Sequence, residues 1–185
     1  MIVTVDDVKA SLKPDMVADV DVAVIQQLID AITDTAEEFT NSYLQYGEYT
    51  EIFDGNSDAT VVLLRGIKIW SIESVKFDNI EQVSGYFKIH DRLGGVYSKI
   101  GFPDGTLNVE ITYTAGYDAE EEEGEEESHK PPEGLKRAII DEVVLRYEYH
   151  RSQSKTGEQI VDLKKDFLHG ESEKYFKKLR RTVRW

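Results

Sequence analysis

The 185-residue sequence contains no cysteine. Disulfides, thiolate metal sites and a cysteine nucleophile are therefore excluded. A reducing compartment such as bacterial cytoplasm suits such a chain. Long apolar runs are also missing: none approaches the length needed to span a bilayer. The opening Met1-Ile2-Val3-Thr4-Val5-Asp6-Asp7 has neither the basic start nor the apolar stretch of a signal peptide, so a soluble chain without a membrane partner is expected. Bases are scarce: 22 Lys and Arg stand against 36 Asp and Glu, a formal net charge of −14. Generic DNA binding is disfavoured, because phosphate neutralisation needs Lys and Arg.

Catalytic signatures are missing as well. His90, His129, His150 and His169 show no metal-ligand spacing, and neither Gly94-Gly95 nor Gly101 to Gly105 forms a phosphate-cradling loop. No GxSxG elbow occurs. Acids are too abundant for any carboxylate pair to be informative. Asp54, Asn56 and Asp58 imitate the start of a calcium loop. Ala59 then stands where that loop needs glycine, and Arg65 where it needs a bidentate acid, so a hairpin turn is expected. No catalytic residue, metal or cofactor is expected.

What is present suffices for a core: 40% of residues are hydrophobic and 10% aromatic. Charge is unevenly spread. Asp118 to Glu127 holds eight acids and no base, and Lys174 to Trp185 holds six bases and no acid.

Thr4 can cap a helix over 5–13, with Val8 and Leu12 on one face and Pro14 interrupting it. Ile25, Leu28, Ile29, Ile32, Ala36, Phe39 and Tyr43 recur at steps of three and four, which predicts a long helix over 21–45. Residues 49–115 change period. Tyr49 to Phe53, Thr60 to Leu64, Tyr86 to His90 and the alternating Leu107, Val109, Ile111 and Tyr113 predict short antiparallel strands. The stretch 118–130 is acidic and of low complexity, and reads as a loop. It contains Glu120, Glu121, Glu122, Glu123, Glu125, Glu126 and Glu127. It is either a solvated loop or an electrostatic partner for a basic surface or DNA.

After Pro131-Pro132, Leu135, Ala138, Ile139, Val143 and Tyr147 stripe a helix over 133–153. Ile140, Val144 and Tyr149 widen its apolar surface, which suggests burial on more than one side. Ile160, Leu163 and Phe167 stripe a further helix over 158–168. The tail interleaves Tyr175, Phe176, Leu179, Val183 and Trp185 with Lys174, Lys177, Lys178, Arg180, Arg181 and Arg184. It fits nucleic-acid contact, docking on an acidic protein surface through Phe176, Leu179 and Trp185, or a solvated terminus. The expected fold class is α+β. It is a mainly helical bundle with a long helix in the N-terminal half, an inserted antiparallel sheet, and a C-terminal helix plus extended arm. Residues 1–168 form one domain and 169–185 a basic arm.

Two stretches carry a family resemblance. One is Ile2-Val3-Thr4-Val5-Asp6-Asp7-Val8-Lys9 with the long helix and its Ala36-Glu37-Glu38-Phe39. The other is Val109-Glu110-Ile111-Thr112-Tyr113-Thr114-Ala115-Gly116-Tyr117, resumed after the acidic loop by Pro131-Pro132-Glu133-Gly134-Leu135-Lys136-Arg137-Ala138-Ile139. Together they resemble the head–tail connector (adaptor, head-completion) proteins of tailed bacteriophages. The resemblance covers about half the chain, at the two ends of the domain; the β region and the acidic loop are longer than the pattern.

It implies a ring of roughly twelve subunits around a DNA channel, stacked beneath a portal, with two different sticky faces per subunit as cyclic closure requires. Ile140, Val144, Tyr149, Ile160, Leu163 and Phe167 become candidate subunit contacts. Tyr175, Phe176, Lys177, Lys178, Leu179, Arg180, Arg181, Arg184 and Trp185 become a portal-docking arm. The acidic loop faces the channel, where it would repel DNA passing without sequence-specific binding, or the next tail component. The implied partners are further copies of the chain, the portal and the next neck or tail-completion protein. The implied location is the virion neck, with host cytoplasm before assembly. Another neck or tail-completion role, or an acidic binding module or enzyme, are the alternatives; a deep pocket with converging ionisable groups would mark the last.

Overall fold

The computed structural model describes residues 1–17, 20–119, 129–156 and 168–180, the side chains of 153–156 excepted. The chain forms two compact units. Among the described residues one takes Met1–Asn41 and those from Asp118 to Arg180, and the other is Ser42–Tyr117.

The first unit is helical. Thr4 opens α1 (Val5–Ser11) with a capping box. Its Oγ1 accepts the Asp7 N–H at 3.2 Å, and the Asp7 carboxylate accepts the Thr4 N–H at 3.0 Å. The same carboxylate lies 2.8 Å from Lys136 Nζ, in the first turns of α4 (Glu133–Thr156). Burial pushes the Asp7 carboxyl up, but the hydrogen bonds from Lys136 and Thr4 outweigh it and hold the group below its ordinary value. Pro14 starts the short α2 (Pro14–Val17), a position where its missing N–H costs nothing.

In α3 (Val22–Thr40) the Asp21 carboxylate accepts the N–H groups of Ala23 and Val24 at 3.1 and 3.2 Å. Ile25, Leu28, Ile29, Ile32 and Ala36 form its buried face, as their spacing predicts. The helix stops short of 45 because Asn41 turns left-handed, at φ 51°, and its N–H returns to the carbonyls of Glu37 and Glu38. Leu135, Ala138, Ile139, Val143 and Tyr147 are the buried stripe of α4. The Tyr147 hydroxyl accepts the Asp21 N–H at 3.0 Å, tying α4 to the start of α3. α5 (Gly170–Leu179) packs against α3 and α4, with Phe176 fully buried. Ser172 Oγ donates to the Ala138 carbonyl at 2.9 Å.

The second unit is built of strands β1 (Gly47–Gly55), β2 (Val61–Leu63), β3 (Ile69–Phe77), β4 (Ile80–Glu81), β5 (Phe87–His90), β6 (Gly95–Ser98) and β7 (Gly105–Ala115). One antiparallel sheet has the order β1-β7-β3-β4, and the other β2-β6-β5. Phe53, Leu64, Val75, Phe102, Val109, Ile111 and Tyr113 are buried in one core. The Tyr113 hydroxyl donates to the Glu51 carboxylate and accepts the Gly66 N–H at 3.1 Å. Burial, then the Glu51 hydrogen bond, pushes the Tyr113 phenol far up, so it stays neutral. Gly66 permits this approach: a Cβ there would lie 2.6 Å from the Tyr113 ring.

Two expectations need correction. The molecule is not a mainly helical bundle. It is α+β with about 41% helix and 30% strand, and among the described residues five helices and two antiparallel sheets. Register shifts at Ile69/Ser71 and Ile72/Ser74 break the alternation of β3 and hide the extent of the strands from the sequence pattern. They nonetheless bury a core of their own. And residues 170–179, expected in an extended arm, are helical.

Candidate functional site

Among the described residues no group of three or more His, Cys, Asp or Glu is placed to hold a metal ion. The calcium-loop imitation is a turn whose polar atoms serve the backbone. Asp54 Oδ1 accepts the Leu107 N–H at 2.7 Å, and Asn56 Oδ1 accepts the Asp58 N–H at 2.9 Å. Asp104 accepts the Ser57 N–H at 2.7 Å and its hydroxyl at 2.9 Å, and these bonds hold its carboxyl below the usual range. The sheet unit has two concavities of note. A groove of 440 Å³ runs between β3, β4 and β5. A cleft of 580 Å³ lies between the ends of β1 and β2. The groove is lined by Ser74 and Ser84 with Glu73, Glu81 and Lys88, but neither hydroxyl is hydrogen-bonded to a carboxylate; the cleft is lined by no Ser, Thr, Tyr or His.

The main buried charge lies in the helical unit. Glu142, 1% exposed, has one oxygen 3.0 Å from Arg146 Nε and 2.8 Å from His169 Nδ1. Its other oxygen accepts the His169 N–H at 3.0 Å. His169 is the cap of α5. The cluster is therefore a structural bracket, satisfying a buried carboxylate while it fixes where α5 begins.

The sequence-derived assembly residues separate into three groups. On α4, Ile140 and Val144 are half-buried and Tyr149 is 54% exposed. On α5, Phe176 is buried within its own unit, Tyr175 and Leu179 are half-buried, and Lys177, Lys178 and Arg180 are exposed. Phe176 thus holds α5 down, and the exposed cations are what α5 offers outward. Glu120 to Glu127, Ile160, Leu163, Phe167, Arg181, Arg184 and Trp185 lie outside the described residues.

Sequence reasoning missed a set of exposed apolar residues. Leu145, 47% exposed, continues the outer face of α4 one turn before Tyr149. Ile52, Ile80, Val83, Leu93, Ile100 and Leu107 are exposed in the sheet unit. A signal existed for some: Ile80 follows the Asp78-Asn79 turn, Leu93 precedes Gly94-Gly95, and Leu107 follows Gly105. Large apolar residues at turns have no core face to fill.

No protein-family model matches the chain, and no curated protein matches it in sequence. Solved structures do. A chain in the neck of a native gene transfer agent particle, computed with C12 symmetry, is 14% identical with a TM-score of 0.63, over 98% of this chain and 89% of that one. A chain in the virion of a native gene transfer agent particle is 14% identical with a TM-score of 0.65, over 98% and 90%. A chain in the neck of an empty particle, computed with C6 symmetry, is 16% identical with a TM-score of 0.63, over 98% and 90%. These likenesses establish a shared fold across the whole chain.

Proposed function

We propose that this chain is a head–tail connector subunit of a phage-like particle. Copies close into a ring below the portal, extend the channel for DNA and give the next neck or tail-completion protein its attachment surface. The carrying observation is the fold likeness over nearly the full length of both chains to a particle neck computed with C12 symmetry. The motifs at the ends of the β unit support the same reading. β7 closes with Tyr113-Thr114-Ala115 and continues into Gly116-Tyr117, and Pro131-Pro132 leads into α4.

A cyclic ring needs two unlike surfaces on each copy. The outer face of α4, with Ile140, Val144, Leu145 and Tyr149, is one. Ile160, Leu163 and Phe167, outside the described residues, are further candidate subunit contacts. Lys177, Lys178 and Arg180 of α5, with the basic residues that follow, face the portal. The net charge of −14 keeps DNA from adhering as it passes, and the run Glu120 to Glu127 serves that end or meets the next tail component. Assembly needs no cofactor or metal. The chain waits in host cytoplasm and works in the virion neck.

The test is binding to purified portal rings, read by light scattering. A stoichiometric complex, with several copies per portal, is the expected result. A chain that stays monomeric and ignores portal refutes the proposal. A chain that crosslinks within particles to a tail protein but never to portal is another neck or tail-completion component instead.

A further inference from the structure

The cleft between β1 and β2 is apolar and acid-rimmed, and one of its residues sits in a conformation that leucine rarely adopts. Leu107 has φ 50° and is 68% exposed. Left-handed backbone is unfavourable for a branched, non-glycine residue, and an exposed leucine gains nothing from folding. The surrounding structure nevertheless enforces it. Asp54 Oδ1 holds the Leu107 N–H at 2.7 Å. The next residue, Asn108, is buried, accepts the Gly55 N–H at 2.8 Å and donates to the Pro103 carbonyl at 3.0 Å. This bracket delivers the Leu107 side chain to the cleft, beside Ile52, itself 53% exposed. Strain kept in place around an exposed apolar side chain is a mark of a contact site. No Lys or Arg lines the cleft, whereas Asp54 does, and the exposed Asp58 and Asp104 lie on the adjoining turns.

The same unit exposes a complementary feature. The turn between β5 and β6 closes on itself, with the N–H groups of Leu93 and Gly94 both bonded to the His90 carbonyl at 3.1 and 2.9 Å. At its tip Leu93 is 50% exposed beside the exposed Arg92. Asp91 lies 3.8 Å from Lys68, which leaves Arg92 as the uncompensated charge of the tip.

We infer that the Arg92–Leu93 tip of one copy docks into the Ile52–Leu107 cleft of the next, an apolar and charge-matched head-to-tail contact between copies of this chain. It rests on the ring-forming reading above and supplies a pair of unlike surfaces of the kind that reading requires.

The absence of cysteine makes the test direct. The full chain carrying both Leu93→Cys and Leu107→Cys is oxidised mildly, alone and with portal rings, and run on a denaturing gel without reductant. A ladder of species beyond the dimer is expected from the double variant, while each single variant stops at dimer. A double variant that gives no more than the singles overturns the contact. Leu107→Asn provides a control for folding, because asparagine accepts positive φ. It is expected to keep the thermal midpoint and to weaken self-association at least about tenfold. Asp58→Arg is expected to restore association lost in Arg92→Glu. Leu107→Asn rings that form as readily as wild type count against the contact. Wild-type rings that form on portal, together with a Leu93→Cys/Leu107→Cys variant that does not crosslink there, sink this contact and leave the connector reading standing. A wild-type chain that never self-associates, with portal or without, sinks both.

Discussion

The helical unit and the sheet unit treat charge and apolar surface in opposite ways. The helical unit buries charge: Glu142 is 1% exposed and meets Arg146 and the α5 cap, and Asp7 joins a capping box to Lys136. The sheet unit buries an almost wholly apolar core around Ile111 and Tyr113, yet leaves Ile52, Ile80 and Leu107 exposed on its strands and Leu93 exposed on a turn. A helix can turn its stripe inward and still needs fixed polar contacts to set where neighbours begin. A strand alternates faces, and turn residues belong to neither. Assembly surfaces are therefore found at different levels: on the flank of a helix in one unit, and on exposed strand positions and a loop tip in the other.

The contrast can be broken most sharply at Glu142. Glu142→Ala removes the carboxylate that meets His169 and the buried Arg146 and is expected to cost about 3–5 kcal/mol, read by denaturant unfolding and by faster hydrogen exchange in α5. Pairing Glu142→Leu with Arg146→Met should recover most of that loss, because an apolar replacement removes both charges. If the double variant is no better than Glu142→Ala, the bracket is doing more than pairing charge. In the sheet unit Ile111→Ala is expected to cost about 3 kcal/mol through the cavity it leaves, with exchange in the helical unit unchanged. Protection lost equally in both units would erase the distinction.

Tyr113→Phe keeps the volume but leaves the Gly66 N–H and Glu51 short of a partner. It should cost about 1–2 kcal/mol by the same unfolding measurement. The smallest effect is at Asp7, where Asp7→Ala should cost about 1 kcal/mol at neutral pH. Its carboxyl titrates below the ordinary value in the folded chain. Its contribution is therefore complete above the ordinary carboxylate range and is lost as pH falls through the lower, folded value. The difference between wild type and Asp7→Ala should shrink on acidification; a difference that grows would invert the sign of the Lys136 contact.

Periodicity made the helical core legible. Ile25, Leu28, Ile29 and Ile32 point inward because a 3.6-residue repeat leaves them no other face. It also ran past the true end of α3, since Tyr43 continues the stripe but Asn41 turns the chain left-handed. Glu142 was invisible for a different reason: its partner His169 is 27 residues away, and no local pattern encodes that meeting. Phe176 resembled an exposed anchor because an amphipathic tail does not disclose which of its faces is covered. Leu107 continues the alternation of Val109 and Ile111 that predicts a strand. The register slip between Phe53 and Gly55 turns it outward, and only the pairing of β1 with β7 shows that slip.

The central claim is that this chain works as one of several identical copies around an axis. Native mass measurement of the 21.1 kDa chain on portal rings tests it most directly. A portal whose mass increases by a single fixed multiple of that value, with no intermediate occupancy, is the result a closed ring predicts. Portal at its own mass beside free monomer, at every ratio of the two, would contradict it.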